Sequence, residues 1–329
     1  MKARILQLLR EQEGYVSGQD ICRKLSVSRT AVWKVIGQLK EEGYIIEAVQ
    51  NKGYRLLEVP DLVTEGEVAS RLHTGWAGHP TVFLERTDST NNEAKRMAEA
   101  GASHGTLVVA ENQEAGKGRR GRSWSSPEKR GIWMTLIMKP GFPPSQASML
   151  TLVAAMAVAE GVRSVTGLEA GIKWPNDIVV NGKKICGILT EMSAEPDYIN
   201  HVVVGIGINA NMEEFPPDIR EKATSLYLEL GKKVSRAAVI AEVWKAFETY
   251  YDKFLENADL SSLREEYEAH LLNRGKEVCV LDPKGEWRGI ARGIDRNGRL
   301  LIEQTGSGGE GLKAVDSGEV SVRGVYGYV

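Results

Sequence analysis

Apolar residues recur at helical spacing three times before residue 45. Residues 3–12 read as a helix with Ile5, Leu6, Leu8 and Leu9 on one face. Ser17 can cap a second helix, with Asp20 three positions on, and Ile21, Cys22 and Leu25 form its buried side. After the short turn Ser26-Val27-Ser28, Ser28 caps a third helix that runs to about Glu42. Ala31, Val32, Val35, Ile36 and Leu39 face its core, and Gly43 stops it. Two extended runs, Tyr44 to Val49 and Gly53 to Leu57, then flank the turn Gln50-Asn51-Lys52-Gly53. Helix, short helix, turn, longer helix, hairpin is the order of a winged helix-turn-helix.

Pro60 marks a boundary, and the periods change after it. Residues 64–73 read as a short helix capped by Thr64, and Val82 to Glu85 as a strand. Ser89 can cap a helix over 90–100, ended by Gly101. Leu107 to Ala110 and Ile132 to Met138 read as strands on either side of a polar Gly/Arg segment, 111–124. Ser148 to Val162 has little polar surface, so it reads as a central helix. Residues 178–192 show strand, Asn181-Gly182 turn, strand; Val202 to Ile208 is a further strand broken by glycines. Helices over 235–256 and 261–270 close the unit. The elements do not alternate regularly between strand and helix, which predicts a mixed or antiparallel sheet with helices against it. From 276 short strands follow: Val278 to Leu281, Glu286 to Ile294, Leu300 to Glu303 and Val320 to Val322. Turns at Asp282-Pro283, Asn297-Gly298 and Gly306 to Gly311 separate them, as in a small barrel. The chain is thus read as multidomain α+β, divided at 1–60, 61–272 and 273–329.

Its 329 residues suit two or three domains of ordinary size, and 42% hydrophobic against 26% charged residues exclude a disordered chain. Net charge is -2, so no whole-chain basicity advertises nucleic acid. The first 60 residues nonetheless hold ten Lys/Arg against seven Asp/Glu, or +3, and the remainder 32 against 37, or -5. Three scattered cysteines, Cys22, Cys186 and Cys279, exclude a disulfide framework and a clustered zinc site, and fit a reducing cytoplasm. The longest near-apolar run, Met149 to Ala159, is 11 residues, too short to span a bilayer.

Five stretches can carry chemistry. Gly116-Lys117-Gly118-Arg119-Arg120-Gly121-Arg122 places four cations among three glycines, so backbone amides can turn toward an anion that the side chains neutralise. It is neither a P-loop nor a dinucleotide fingerprint, and it can equally be a solvated basic loop. It hangs between two core strands, which suits an active-site lid. Trp124 can stack on a flat ring or anchor the core. In Lys173-Trp174-Pro175-Asn176-Asp177, Pro175 stiffens the chain, Asn176 both donates and accepts, and Asp177 can hold a metal or an amine; the bland reading is a strand edge with a turn. Lys184 can serve a carboxylate and then a phosphate, or be an ordinary exposed lysine. Gly187 lies on the opposite strand face or beside a bulge. Gly205-Ile206-Gly207-Ile208-Asn209 marks close backbone approach, for a substrate wall or for a bulge. Asp88-Ser89-Thr90-Asn91 is a helix cap or a polar ligand contact, with Gln113 a second neutral contact. His73, His79, His104, His201 and His270 show no motif spacing, and no Ser-His-Asp or Cys-His set appears.

In their combined order these motifs resemble the bifunctional biotin protein ligases that also repress the biotin operon. The resemblance covers nearly the whole chain. It implies a core like that of class II aminoacyl-tRNA synthetases and a C-terminal SH3-like barrel. It implies two steps: biotin and ATP, with Mg²⁺, form biotinyl-5′-AMP, and a lysine of a biotin carboxyl carrier domain then takes the biotinyl group. By that resemblance Ser89, Thr90, Asn91 and Gln113 hold biotin, and Gly116, Lys117, Arg120 and Gly121 help close the loop over the ligand. Arg119 and Lys184 face carboxylate and phosphate, and Trp124 and Asn209 lie near adenine. Gly187, Gly205 and Gly207 line the pocket, and Asp177 positions magnesium or the attacking amine. The family commonly has arginine where this chain has Lys117, so charge survives there but a bidentate fork does not. The resemblance further implies a homodimer on a palindromic operator, with the adenylate as corepressor and no membrane partner. Ser28, Arg29, Thr30, Trp33 and Lys34 lie on or near the DNA-facing end of the third helix, with Trp33 a possible core residue. Lys52 and Arg55 lie on the wing. Rival readings are a ligase gated by its N-terminal module, a repressor without catalysis, and a lipoate-type ligase.

Overall fold

The computed structural model describes residues 1–282, 285–304, 311–317 and 321–324. Pro283, the 306–310 part of the third C-terminal turn, and Val320 lie outside the described residues.

The N-terminal unit follows its apolar periodicity. It contains α1 (Lys2–Arg10), α2 (Gly18–Leu25), α3 (Arg29–Glu41), β1 (Ile45–Val49) and β2 (Gly53–Glu58). Ser17 and Ser28 cap α2 and α3 through Asp20 N (3.0 Å) and Ala31 N (3.2 Å). Ile5, Leu6, Leu9, Ile21, Val32, Val35, Ile36 and Leu39 make an apolar cluster separate from the rest of the chain. β1 and β2 pair as the wing, and Val16 bridges to Tyr54 at its far side.

The central unit runs through α4 (Glu65–Ala69), β3 (Thr81–Thr87), α5 (Thr90–Glu99), β4 (Leu107–Gln113), β5 (Ile132–Met138) and α6 (Leu150–Thr166). It continues with β6 (Gly171–Lys173), β7 (Asp177–Val180), β8 (Lys183–Ala194), β9 (Ile199–Ile208), α7 (Leu226–Leu230), α8 (Arg236–Leu255) and α9 (Arg264–His270). Seven strands form one mixed sheet in the order β3-β4-β5-β9-β8-β7-β6; β3 and β4 are parallel, and the other neighbours antiparallel. α6 and α8 cover one face, and α5 packs on the other. The Asn181-Gly182 turn has φ of 48° and 77°, the left-handed pair a two-residue hairpin demands.

Several expectations need correcting. α4 is shorter than 64–73, and the Thr64 side chain makes no capping bond. Ser89 occupies the cap position of α5 without a side-chain bond to the helix. The central helix extends to Thr166, and with the turn before it, Pro144–Thr166 is long and apolar enough by length and composition to cross a membrane. The helix outlasts both the 11-residue apolar run and the expected end at Val162, and it is packed between the sheet and α8.

The C-terminal unit contains β10 (Glu277–Asp282), β11 (Gly285–Ile294), β12 (Leu300–Gln304), β13 (Leu312–Val315) and β14 (Ser321–Gly324). They form an antiparallel sheet in the order β13-β12-β11-β10-β14. Its inward residues, among them Val278, Val280, Ala291, Ile294 and Leu300, join the central apolar cluster.

Two buried polar knots tie the N-terminal unit to the centre. Glu67, 1% exposed, accepts from Arg10 Nη2 (2.7 and 2.6 Å), Tyr44 Oη (2.5 Å) and Arg71 Nε (2.7 Å). Burial pushes its carboxyl up, but the arginines and tyrosine prevail and hold it below the usual carboxylate range. Arg236, fully buried at the start of α8, bonds Asp61 of the linker (Nε, 2.9 Å) and Glu111 of β4 (Nη1, 2.6 Å). Asn211, just past β9, also donates to Asp61 (2.9 Å).

Candidate functional site

The site lies on the α5 face of the sheet. One register row there runs Trp133, Gly207, Gly187, Asp177, Lys173 across β5, β9, β8, β7 and β6. Residues in such a row share a face, with neighbouring strands about 4.8 Å apart. The two glycines leave a bare floor, and the Trp124 indole lies on it. A Cβ on Gly207 would stand 2.8 Å from Trp124 Nε1, and one on Gly187 3.0 Å from Cζ3. Trp124 is therefore laid across the site. Its buried Nε1–H finds no acceptor among the described residues.

The adjacent row contains Thr135, Gly205 and Leu189. Here Asn91 lies over the glycine so closely that a Cβ on Gly205 would be 1.9 Å from Asn91 Oδ1. Thr135 Oγ1 donates toward Asn91 Oδ1 (2.7 Å), and Asn91 Nδ2 donates to Leu189 O (3.1 Å) and Glu191 (2.8 Å). Lys95 completes the chain on Glu191 at 2.8 Å. Burial raises the Glu191 carboxyl, but Lys95 and Asn91 outweigh burial and leave it lowered. At the start of α5, Gln113 Oε1 accepts from Thr90 N (2.8 Å) and Oγ1 (3.1 Å). That bond replaces the expected serine cap. Gln113 Nε2 donates to Ser126 (2.8 Å), and Ser89 is buried beside it.

The Gly/Arg segment folds back on itself above this floor. Trp124 N donates to Gly116 O (2.8 Å), Gly118 N to Arg122 O (2.7 Å), and Lys117 bridges to Ser123. Arg119–Gly121 make a single turn at the tip, with Arg120 at φ 56°. Arg119 Nη1 donates to Asn176 Oδ1 (2.9 Å), and Nη2 to Ser317 O of the C-terminal unit. Lys117 Nζ reaches Asn92 (2.7 Å). Asn176 is itself fixed, its N–H₂ donating to Ile188 O (3.1 Å).

Lys184 Nζ lies 5.1 Å above the Trp124 ring centre and 2.5 Å from Asp177 Oδ1. A bulge between Ile178 and Val179 lets Lys184 and Gly187 both serve the site. Lys173, 8% exposed, is the register partner of Asp177; burial pushes its ammonium down to about 8. Burial likewise lowers Arg119. The resulting cavity, about 60 Å³, is bounded by Ser89, Gln113, Arg119, Trp124, Lys184 and Gly207. One end is neutral and hydrogen-bonding and the other cationic, as an elongated ligand with a polar head and an anionic tail requires.

The structure thus brings together Ser89, Thr90, Asn91, Gln113, Lys117, Arg119, Trp124, Lys184, Gly187, Gly205 and Gly207. Gly116 lies beneath the Trp124 carbonyl, and Arg120 and Gly121 are exposed at the tip. Asn209 stands outside the cavity, with Nδ2 donating to Thr224 O (3.0 Å), so it staples the segment after β9. Asp177 lies behind Lys184 rather than on the cavity wall. Sequence reasoning missed Thr135, a lone hydroxyl in the apolar run Ile132–Met138, and Glu191. No group of three or more His, Cys, Asp or Glu able to hold a metal exists among the described residues. Asp177 already holds Lys184, so these residues do not fit a resident magnesium ion.

On the N-terminal unit, Trp33 is 71% exposed, which excludes the core reading. Ser28, Arg29, Thr30 and Lys34 are exposed beside it at the start of α3. Lys52 and Arg55 are exposed on the wing, Lys52 Nζ 5.6 Å from the Tyr15 ring centre.

Three family descriptions match successive parts of the chain: an HTH domain over residues 2–55, the biotin/lipoate A/B protein ligase family over 83–209, and a biotin protein ligase C-terminal domain over 275–323. The chain is 41% identical over 310 residues to the bifunctional ligase/repressor BirA of Bacillus subtilis, covering 94% of each. It is 30% identical over 323 residues to the Escherichia coli protein of that name, covering 97% of this chain and 96% of the other. Among solved structures it is similar to the biotin protein ligase from Aquifex aeolicus in complex with biotin and ATP. The TM-score is 0.65 at 34% identity, over 74% of this chain and 98% of that one.

Proposed function

The chain belongs to the biotin protein ligase family, in its bifunctional ligase/repressor branch, and we propose that the glycine-floored pocket is where its chemistry occurs. The protein is an ATP-dependent biotin ligase for carboxyl carrier domains and, through its winged helix-turn-helix, a DNA-binding repressor. Residues 1–60, 61–272 and 273–329 serve as its DNA, ligase and C-terminal units; the separate N-terminal core and Pro60 support the first boundary.

In this reading the ureido end of biotin meets Ser89, Thr90, Asn91 and Gln113, whose hydroxyl and amide groups offer donors and acceptors. The biotin carboxylate and the ATP α-phosphate then meet at Arg119 and Lys184. Two anions repel each other, and the guanidinium and ammonium offset that repulsion where charge develops. A carboxylate oxygen forms a bond to the α-phosphorus, the bond to the β-phosphate oxygen breaks, and pyrophosphate leaves. Trp124, with an indole face against the floor, suits stacking on adenine. The backbone of Gly116 and Lys117, with Arg120 and Gly121 at the tip, lets the segment close and exclude water from the mixed anhydride. In the second step the neutral amine of a carrier lysine attacks the acyl carbon, the bond to the phosphate oxygen breaks, AMP leaves, and the nitrogen releases one proton to solvent. Asp177, beside Lys184, orients that amine as an acceptor for its N–H. Magnesium enters as the chelate of the ATP substrate, since the described residues offer it no cage of three or more acidic, histidine or cysteine ligands. Asn209 acts from behind, by holding the segment that follows β9.

For repression, α3 enters the major groove with Arg29, Thr30, Trp33 and Lys34 at its base-facing end. Lys52 and Arg55 take backbone contacts. Biotinyl-5′-AMP is the corepressor and a homodimer the binding form; the sheet edge available to it is β3, since Leu271 and Leu272 bridge to Ile172 along β6. Three unpaired cysteines support a cytoplasmic setting. The observation that carries the ligase reading is the convergence of a neutral polar end with the Arg119–Lys184 end over one glycine floor. Incubation with biotin, Mg·ATP and a carrier domain should add one biotinyl mass to a single lysine. No mass gain, or a gain with lipoate but not biotin, overturns the reading.

A further inference from the structure

We infer that Ser126 is a positioning residue for biotin: its hydroxyl fixes which end of the Gln113 amide faces α5 and holds that amide ready for the polar head of the ligand. The inference deepens the ligase reading and rests on it.

Ser126 follows the Gly/Arg segment in the chain, yet it is anchored to β4. Its carbonyl accepts from Asn112 Nδ2 (3.0 Å) and from Gln113 N (3.4 Å), so the sheet sets its place. The residue is buried, and its hydroxyl has one proton to give and lone pairs to receive. Two neighbours decide how these are used. Trp124 O, 3.2 Å away, is a carbonyl and only accepts, so Ser126 donates there. Ser126 Oγ therefore accepts from Gln113, and the group facing it at 2.8 Å is the N–H₂. The other end of the amide gives the same answer independently. Thr90 N only donates, so the atom 2.8 Å from it is Gln113 Oε1. An amide committed at both ends has one orientation.

The space around this contact is filled. A Cβ on Gly116 would stand 2.8 Å from Ser126 Oγ and 3.1 Å from Gln113 Nε2, so the amide has no second resting place on that side. Gln113 borders the cavity, whereas Ser126 stands behind it. Among the described residues Ser126 is the one acceptor for Gln113 Nε2. Without the hydroxyl the N–H₂ loses that acceptor and turns to solvent on the cavity side, where the head of biotin belongs. A flexible side chain must then be ordered anew each time biotin binds, whereas the wild-type protein orders it on folding. The loss falls on biotin and not on the phosphate end at Arg119 and Lys184.

The test uses the full chain and biotin-dependent exchange of labelled pyrophosphate into ATP, which reads the first step alone. Ser126→Ala should raise the KM for biotin about ten-fold, with kcat and the KM for ATP within about two-fold of wild type. A merely structural serine would shift both substrates or neither. Ser126→Ala combined with Gln113→Ala should have a KM for biotin within about two-fold of Gln113→Ala alone, because Ser126 acts through that amide. Ser126→Ala with an unchanged KM for biotin, or a double variant whose KM rises by the product of the two single effects, overturns the inference. If Ser126→Ala does not fold by circular dichroism, Ser126→Cys, whose sulfur is a weak acceptor, is read in its place against the same outcomes. Absence of biotin-dependent exchange in the wild-type protein would instead overturn the ligase reading.

Discussion

The DNA-facing end of α3 and the glycine-floored pocket put polar side chains to work in opposite ways. On α3 the working residues project from a finished surface, with Trp33 71% exposed and the apolar cluster entirely on the other face. In the pocket the polar groups hold one another: Thr135 to Asn91, Asn91 to Glu191, Glu191 to Lys95, Thr90 to Gln113. A projecting residue can be removed at the cost of its own contacts. A residue inside a chain of hydrogen bonds takes its neighbours with it.

That difference sets the order of the expected effects. The largest belongs to Gly205→Ala. Its methyl would meet Asn91 Oδ1 at 1.9 Å, and Asn91 is tethered to three partners, so it cannot swing away. Biotin-dependent pyrophosphate exchange should fall about a hundred-fold or more, since small misplacements in a site cost that much. Gly207→Ala, against the unbonded Nε1 of Trp124, should fall far less; equal losses would show that the Asn91 network is not what matters. Next comes Arg119→Gly. The fold should survive, because its described bonds go to Asn176 and Ser317 O at the surface of the site. Bound adenylate should dissociate at least about ten-fold faster, measured by release of labelled adenylate; unchanged retention would remove Arg119 from the lid. The smallest is Arg29→Ala, which should weaken operator binding about ten-fold in a gel shift with adenylate present and leave carrier biotinylation unchanged. A loss of ligation there would mean that the two regions are not separable.

The two regions also differed in how far they could be read from the chain. On an amphipathic helix the functional face is what the core face leaves over, so Arg29, Thr30 and Lys34 followed from the positions of Val32, Val35 and Ile36. The pocket depends on cross-strand rows. Nothing local in Gly187 and Gly207 says that they are neighbours, or that Trp124 lies over both. The motifs themselves were legible as clusters, and β5 was read to the residue. β6 was missed because three residues carry no period, and α6 was cut short where Arg163 and Ser164 interrupt its apolar run. The helix continues to a left-handed Gly167, with Arg163 pairing back to Glu160. The partner of Asp177 was likewise hidden, since only the hairpin register sets Lys173 opposite it.

The guanidinium at the head of α8 makes the choice of cutting point consequential for anyone who wishes to detach or exchange the N-terminal module. A break just before Asp61 keeps that residue on the ligase half and leaves Arg236 with both of its acidic companions. A break a few residues later strips one away. A lone glutamate must then answer a fully interior positive charge, at the point where Asn211 ties down the segment following β9. Two truncations that look interchangeable on paper would therefore yield different enzymes.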